Sequence, residues 1–244
     1  MISPYLSIII PAYNEENRLQ SALTQVLDFI ERQSFESEVL VVENGSQDRT
    51  LQIAQKFASE HFQFRAIHEK ERGKGRAVKR GMLEAEGEFR FMCDADLSMP
   101  VTEISRFLPP TLTGFDIAIA SREAPGAVRY NEPAYRHLGG RAVNVMIRLL
   151  ALPNLLDTQC GFKCFRSAVA EDLFGRSSLS GWSFDVEILY LARLSGYQVV
   201  EVPISWYFSA DSKVSPLKDA LRMGWDILCM RWRARRSFSQ NRAG

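Results

Sequence analysis

Short, nearly continuous apolar runs alternate with stretches of helical spacing from Leu6 to Ala120, and this alternation constrains the fold more than any other feature. Leu6-Ser7-Ile8-Ile9-Ile10, closed by Pro11, and Val39-Leu40-Val41-Val42 have no polar face. Such runs suit strands buried on both sides of a parallel sheet. Between them Leu19, Leu23, Val26, Leu27 and Ile30 keep the spacing of one helix face, and Asn14 or Asn17 can cap it. Asp48 starts a second helix through Ile53, Ala54 and Phe57. Residues 64–67 predict a weaker strand, 75–85 a helix, and 89–93 and 115–120 two further strands. Strands and helices in this order specify an α/β fold: a doubly wound, mostly parallel sheet with helices on both faces.

Beyond Ser121-Arg122 the pattern changes. Residues 123–131 predict a mobile loop, and residues 133–152 a basic helix carrying Arg136, Arg141 and Arg148. Short strands around Phe162 and at residues 199–202 flank a helix over residues 184–194. There is no internal repeat or long linker, so residues 1–210 are expected to form one catalytic domain and residues 211–244 a basic helix and tail. A chain of 244 residues that is 46% hydrophobic and 24% charged is an ordinary globular sequence, which argues against disorder. The net charge of +1 conceals an Arg- and Lys-rich stretch from Ser209 onward, which points to an anionic partner or surface but not to nucleic acid. Cys93, Cys160, Cys164 and Cys229 lack zinc-site spacing and suit a reducing compartment. No apolar run reaches the roughly 18–20 residues of a membrane span. The first residues lack a signal peptide's charged start and cleavage site, so a cytoplasmic protein is expected.

The chemistry concentrates where strands end. Ligands of open α/β sheets bind beyond the carboxyl ends of the strands. Three polar clusters fall there: Tyr13-Asn14-Glu15, Glu43-Asn44 and Asp94-Ala95-Asp96. Two carboxylates one residue apart suit Mg²⁺ or Mn²⁺ shared with a substrate diphosphate, although an isolated D-x-D is more often a solvated turn. The first loop has no G-x-G-x-x-G, which argues against a nicotinamide or flavin enzyme. It offers an aromatic ring and acceptor groups suited to a base and ribose. Gly73-Lys74-Gly75-Arg76 lacks P-loop spacing but can reach a diphosphate, or can be a plain basic turn.

Together these stretches resemble the inverting family 2 glycosyltransferases of GT-A fold, and among them the polyprenyl-phosphate sugar synthases of the dolichyl-phosphate β-glucosyltransferase and mannosyltransferase kind. The resemblance also rests on Ser121-Arg122, on Asp157-Thr158-Gln159-Cys160-Gly161-Phe162-Lys163 and on Trp182-Ser183-Phe184-Asp185-Val186-Glu187. It implies that Pro11, Ala12, Tyr13, Glu15, Glu43, Lys74 and Ala95 contact the nucleotide sugar, and that Asp94 and Asp96 hold metal and diphosphate. It implies UDP-glucose, with GDP-mannose next, as donor. Two departures stand out. Glu43-Asn44 replaces the family's usual pair of acids, and the Q-x-x-R-W motif of processive synthases is absent.

Inversion needs an acceptor oxygen opposite the leaving group. A hydroxyl would require a general base, with Asp185 or Glu187 as candidates. A lipid phosphate would instead require cations, and Ser121, Arg122 and Arg136 resemble the family's acceptor-phosphate positions, with Lys163 and then Arg129 as further candidates for that phosphate. The catalytic set is thus expected to be Asp96, Asp185, Arg122 and Arg136. Trp182 and Phe184 read as core. Leu217, Leu221, Trp225, Leu228 and Trp232 form one helical stripe bordered by arginines, which fits a helix lying in a membrane interface or one docked on the core. The expectation is an enzyme peripheral to the cytoplasmic face of a membrane. The alternatives are a transferase with a hydroxyl acceptor, or a donor-binding subunit that needs a membrane-protein partner for catalysis.

Overall fold

The computed structural model describes residues 3–208 and 222–233. A seven-stranded sheet is the spine, with strand order β3-β2-β1-β4-β7-β5-β8. Its members are β1 (Leu6–Ala12), β2 (Ser37–Glu43), β3 (Phe64–His68), β4 (Phe89–Cys93), β5 (Ile117–Ser121), β7 (Phe162–Arg166) and β8 (Val199–Pro203). All neighbouring pairs are parallel except those of β7, which runs antiparallel between β4 and β5. The apolar runs alternate between two cores. Ile8, Ile10, Val39 and Val41 face one cluster, while Ile9, Leu40 and Val42 face the other.

Helices α1 (Leu19–Glu31) and α2 (Thr50–Glu60) and a 3₁₀ helix at Val101–Phe107 cover the first face. The second face is covered by α3 (Lys74–Glu84), α4 (Ala134–Leu150), α5 (Ser167–Arg176), α6 (Phe184–Ser195) and the helical segment 222–233. Met223, Ile227 and Met230 seat that last segment on the core. The doubly wound expectation therefore holds.

Three local readings change. Residues 123–131 contain a strand, β6 (Val128–Tyr130), which pairs in parallel with β9 (Ser205–Tyr207). α5 lies between the elements expected near Phe162 and Phe184. Neither Asn14 nor Asn17 caps α1, whose cap position is Arg18. Asn14 instead takes a positive φ of 52° and links two loops.

Candidate active site at the strand ends

β4 stops at Cys93 and delivers Asp94 to the carboxyl edge of the sheet. Because β7 runs antiparallel, its start opposes the end of β4, with Cys93 registered on Phe162. Asp94 N–H donates to the Gly161 carbonyl at 3.1 Å. A Cβ on Gly161 would lie 1.8 Å from Asp94 Oδ2, so only glycine leaves room for the carboxylate. The chain then turns tightly through Leu97 (φ 44°), and Asp96 Oδ1 accepts from Ser98 N–H at 3.0 Å. Lys74, the first residue of α3, places Nζ 2.7 Å from Asp94 Oδ1 and lies 5.1 Å from the centre of the Trp182 ring.

Burial pushes the Asp94 carboxyl above its usual range, and Lys74 only partly offsets this. Burial also acts against the Lys74 ammonium, but the surrounding acids, Asp94 foremost, raise it above its ordinary value. The chemistry of the Asp94 and Asp96 oxygens fits a hard divalent cation. Among the described residues no group of three His, Cys, Asp or Glu forms a cage. A cation on this pair would complete its shell with substrate phosphates and water.

A buried layer supports this edge. Lys163 Nζ donates to Asp185 Oδ1 at 2.6 Å and to the Cys160 carbonyl at 2.5 Å. Lys163 is therefore not available as an acceptor-phosphate cation, because antiparallel β7 turns it into the interior, where it neutralises Asp185. Glu187 is not a general base either: it accepts from Ser178 N–H, Ser178 Oγ and Leu179 N–H at 2.7–2.9 Å and clamps the loop before α6. That loop in turn presses on the Gly73-Lys74-Gly75 turn. Gly75 N–H donates to the Ser180 carbonyl at 2.9 Å, and a Cβ on Gly75 would lie 2.6 Å from the Leu179 carbonyl oxygen. Phe184 is core as expected, but Trp182 is 41% exposed beside Lys74.

At the ends of β1 and β2, Pro11, Ala12 and Tyr13 lead into the loop tied to residues 46–50. Asn14 N–H donates to Ser46 Oγ at 3.0 Å, and Glu15 N–H to Thr50 Oγ1 at 2.7 Å. Arg72 lies 4.4 Å from the centre of the Tyr13 ring. Glu43 is only 1% exposed. One of its oxygens accepts from Ser46 N–H, and the other lies 2.6 Å from His68 Nδ1. Glu43, expected to contact the nucleotide directly, is instead engaged by Ser46 and His68, and His68 lies outside the expected strand-end clusters. The signal was present, since His68 is itself a polar residue at a strand end.

On the opposite side, Ser121 is fully buried and its Oγ accepts from Ala124 N–H at 3.0 Å. It shapes a turn and has no free hydroxyl edge for a phosphate. Arg122 makes a two-pronged bond to Asp157, at 2.6 and 2.9 Å. Burial alone would raise Asp157, but the Arg122 guanidinium holds it down at about 2. Trp206 carries Arg122 and Arg129 at 5.4 and 5.9 Å, and Phe208 carries Arg136 at 5.3 Å. Arg129 is paired to Glu123 and Glu132 at 2.5 and 2.7 Å. Arg136 has no ion pair among the described residues.

Beyond Arg136, the outward positions of α4 are Tyr135, Leu138, Val145 and Leu149, all exposed. Trp225, Leu228 and Trp232 are exposed on the neighbouring segment 222–233, which approaches α4 where Gly224 meets Met146. Leu217 and Leu221, the other members of that expected stripe, lie outside the described residues.

The profile described as glycosyl transferase family 2 matches residues 7–174. The chain is 36% identical over 237 residues to the dolichyl-phosphate β-glucosyltransferase of Drosophila melanogaster, covering 91% of this chain and 73% of the relative. The enzyme of the same name from Homo sapiens is 32% identical, with 93% and 75% covered. Among solved structures, glucosyl-3-phosphoglycerate synthase from Mycobacterium tuberculosis, in complex with Mn²⁺ and uridine-diphosphate-glucose, superposes with a TM-score of 0.64 at 18% identity over 93% of this chain and 77% of that one. Mannosyl-3-phosphoglycerate synthase from Rubrobacter xylanophilus superposes at 0.68 with 15% identity, covering 97% and 75%.

Proposed function

The chain belongs to glycosyl transferase family 2 and has the GT-A fold, and from that premise we propose that it transfers glucose from UDP-glucose to a polyprenyl phosphate with inversion at the anomeric carbon. The observation that carries the reading is the Asp94 and Asp96 pair at the end of β4 with Lys74 bound to it. The names of the sequence relatives support glucose and a dolichyl-type phosphate, and the neighbour with Mn²⁺ and UDP-glucose supports the donor and a divalent cation.

Mg²⁺ or Mn²⁺ held by Asp94 and Asp96 would neutralise charge on the departing diphosphate. Lys74 adds a second cation beside it, and Tyr13 offers the base a flat face within the loop of Pro11, Ala12 and Glu15. Asp185, its charge held by Lys163, accepts from a sugar hydroxyl. A phosphate monoester, with a second pKa of about 6, is mostly ionised at neutral pH and needs no base. Two facts favour that nucleophile over a hydroxyl: Asp185 is already neutralised, and Glu187 is engaged three times. Arg136, which has no ion pair among the described residues, receives the phosphate, with Arg122, partly exposed while Asp157 holds its Nε and Nη2, beside it. No described helix is long and apolar enough to cross a membrane. The enzyme meets its lipid by lying on the cytoplasmic face, with the exposed stripes of α4 and segment 222–233 against the bilayer.

The test is transfer of labelled glucose from UDP-glucose to polyprenyl phosphate by purified protein with Mn²⁺, with GDP-mannose in parallel. Lipid-linked glucose is expected, and Asp96→Asn should lower its formation at least 100-fold, about 2.7 kcal/mol. No transfer with donor binding intact would indicate a subunit that needs a membrane partner. Transfer to a hydroxyl acceptor, lost in Asp185→Asn but tolerant of Arg136→Gln, would indicate the other enzyme class.

A further inference from the structure

We propose that His68, oriented by Glu43, reads the base of the donor by accepting a hydrogen bond from its ring N–H at Nε2. The inference rests on the nucleotide-sugar reading above and names a recognition element within it. β1, β2 and β3 end in register, Ala12 beside Glu43 and Glu43 beside His68, so these side chains share one face of the sheet at the strand ends, where β1 leads into the Tyr13 loop. Glu43 cannot itself read a base as it stands. Both its oxygens are engaged, one by Ser46 N–H and the other by His68 Nδ1 at 2.6 Å.

A carboxylate only accepts, so in the neutral form of the imidazole Nδ1 carries the proton and Nε2 the lone pair. The ring is 45% exposed, and Nε2 has no hydrogen-bond partner among the described residues. The His68 backbone is fixed as well, its carbonyl accepting from Arg80 Nη1 at 2.9 Å. A rigid acceptor at this edge pairs with the imide N–H of uracil, or with the corresponding N–H of guanine. It opposes cytosine and adenine, which present a lone pair at the equivalent atom. A polar site that finds no partner discriminates by leaving its own group unpaired.

The chemistry predicts a switch. In Glu43→Gln the amide oxygen still serves Ser46 N–H, while the amide N–H₂ donates to Nδ1. That moves the imidazole proton to Nε2 and turns the acceptor into a donor. Binding of UDP and CDP, each with Mn²⁺, is measured by titration calorimetry for wild type, His68→Ala and Glu43→Gln, with circular dichroism as a check of folding. Wild type is expected to prefer UDP by at least about 10-fold, the order of one net hydrogen bond. His68→Ala should lose that margin on UDP with CDP unchanged, and Glu43→Gln should favour CDP. Equal weakening of UDP and CDP in His68→Ala, or no change in either, overturns the inference while leaving the transferase reading intact. Wild-type protein that binds neither diphosphate overturns both. His68 is exposed, so its variant decides the matter even where Glu43→Gln fails to fold.

Discussion

At the scale of single residues, the site is built on paired charges whose partners are far apart in sequence. Lys163 and Asp185 are both buried, 22 residues apart, and meet at 2.6 Å. Removing one member leaves an uncompensated buried charge, which costs about 3–5 kcal/mol, whereas a well-packed apolar pair is close to neutral. Lys163→Met and Asp185→Leu should therefore each lower the urea midpoint sharply, and the double variant should recover most of the loss. The Arg122 and Asp157 pair makes a different prediction. Asp157 sits at about 2 in the folded chain against an ordinary 3.8. A depressed carboxyl stabilises fully above the unfolded value and loses that contribution as pH falls through the folded one. Stability followed by urea unfolding should thus decline between about pH 4 and 2, and Asp157→Asn should remove about 2 kcal/mol of that slope.

At the scale of elements, one reversed strand sets the centre of the site. Antiparallel β7 brings Gly161 against Asp94, and a methyl group there would overlap the carboxylate. Gly161→Ala should displace Asp94 and cut transfer at least 100-fold, about 2.7 kcal/mol of transition-state stabilisation. Its thermal midpoint should move little, because Asp94 is at the surface edge of the core. Assays of activity and melting on one preparation would separate the two effects.

The sequence foretells the parallel strands well because strands buried on both faces are apolar throughout, as Ile8-Ile9-Ile10 and Val39-Leu40-Val41-Val42 are. It foretells less where pairing is distant. β6 and β9 are three residues each, and Val128 finds its partner at Ser205. α5 carries a usable signal in Val169, Ala170, Leu173 and Phe174, whose spacing is helical. The acids of the D-x-D were legible as a strand-end pair. The fate of Ser121, Lys163 and Glu187 was not, because composition names a charge or hydroxyl but not its partner across the fold.

At the scale of the whole molecule, two neighbouring helices present apolar side chains away from the core. Segment 222–233 docks through Met223, Ile227 and Met230 and still leaves Trp225, Leu228 and Trp232 exposed. The described part of this helix is thus docked on the core, and its outer face is what remains for an interface. α4 carries its own outward stripe, with Arg141 and Arg148 exposed along it. If the proposed membrane docking uses these faces, the flanking arginines predict a preference for an anionic lipid surface over a neutral one. In sedimentation with vesicles, the protein should bind phosphatidylserine-containing membranes more tightly than neutral ones, and added salt should weaken binding without abolishing it. Trp225→Ser with Leu149→Ser should release it from both, because the apolar term is lost. Those substitutions lie outside the strand-end site, so binding of UDP should persist while transfer to membrane-embedded acceptor falls. Equal loss of UDP binding would instead mean that this surface holds the fold together and does not dock on lipid.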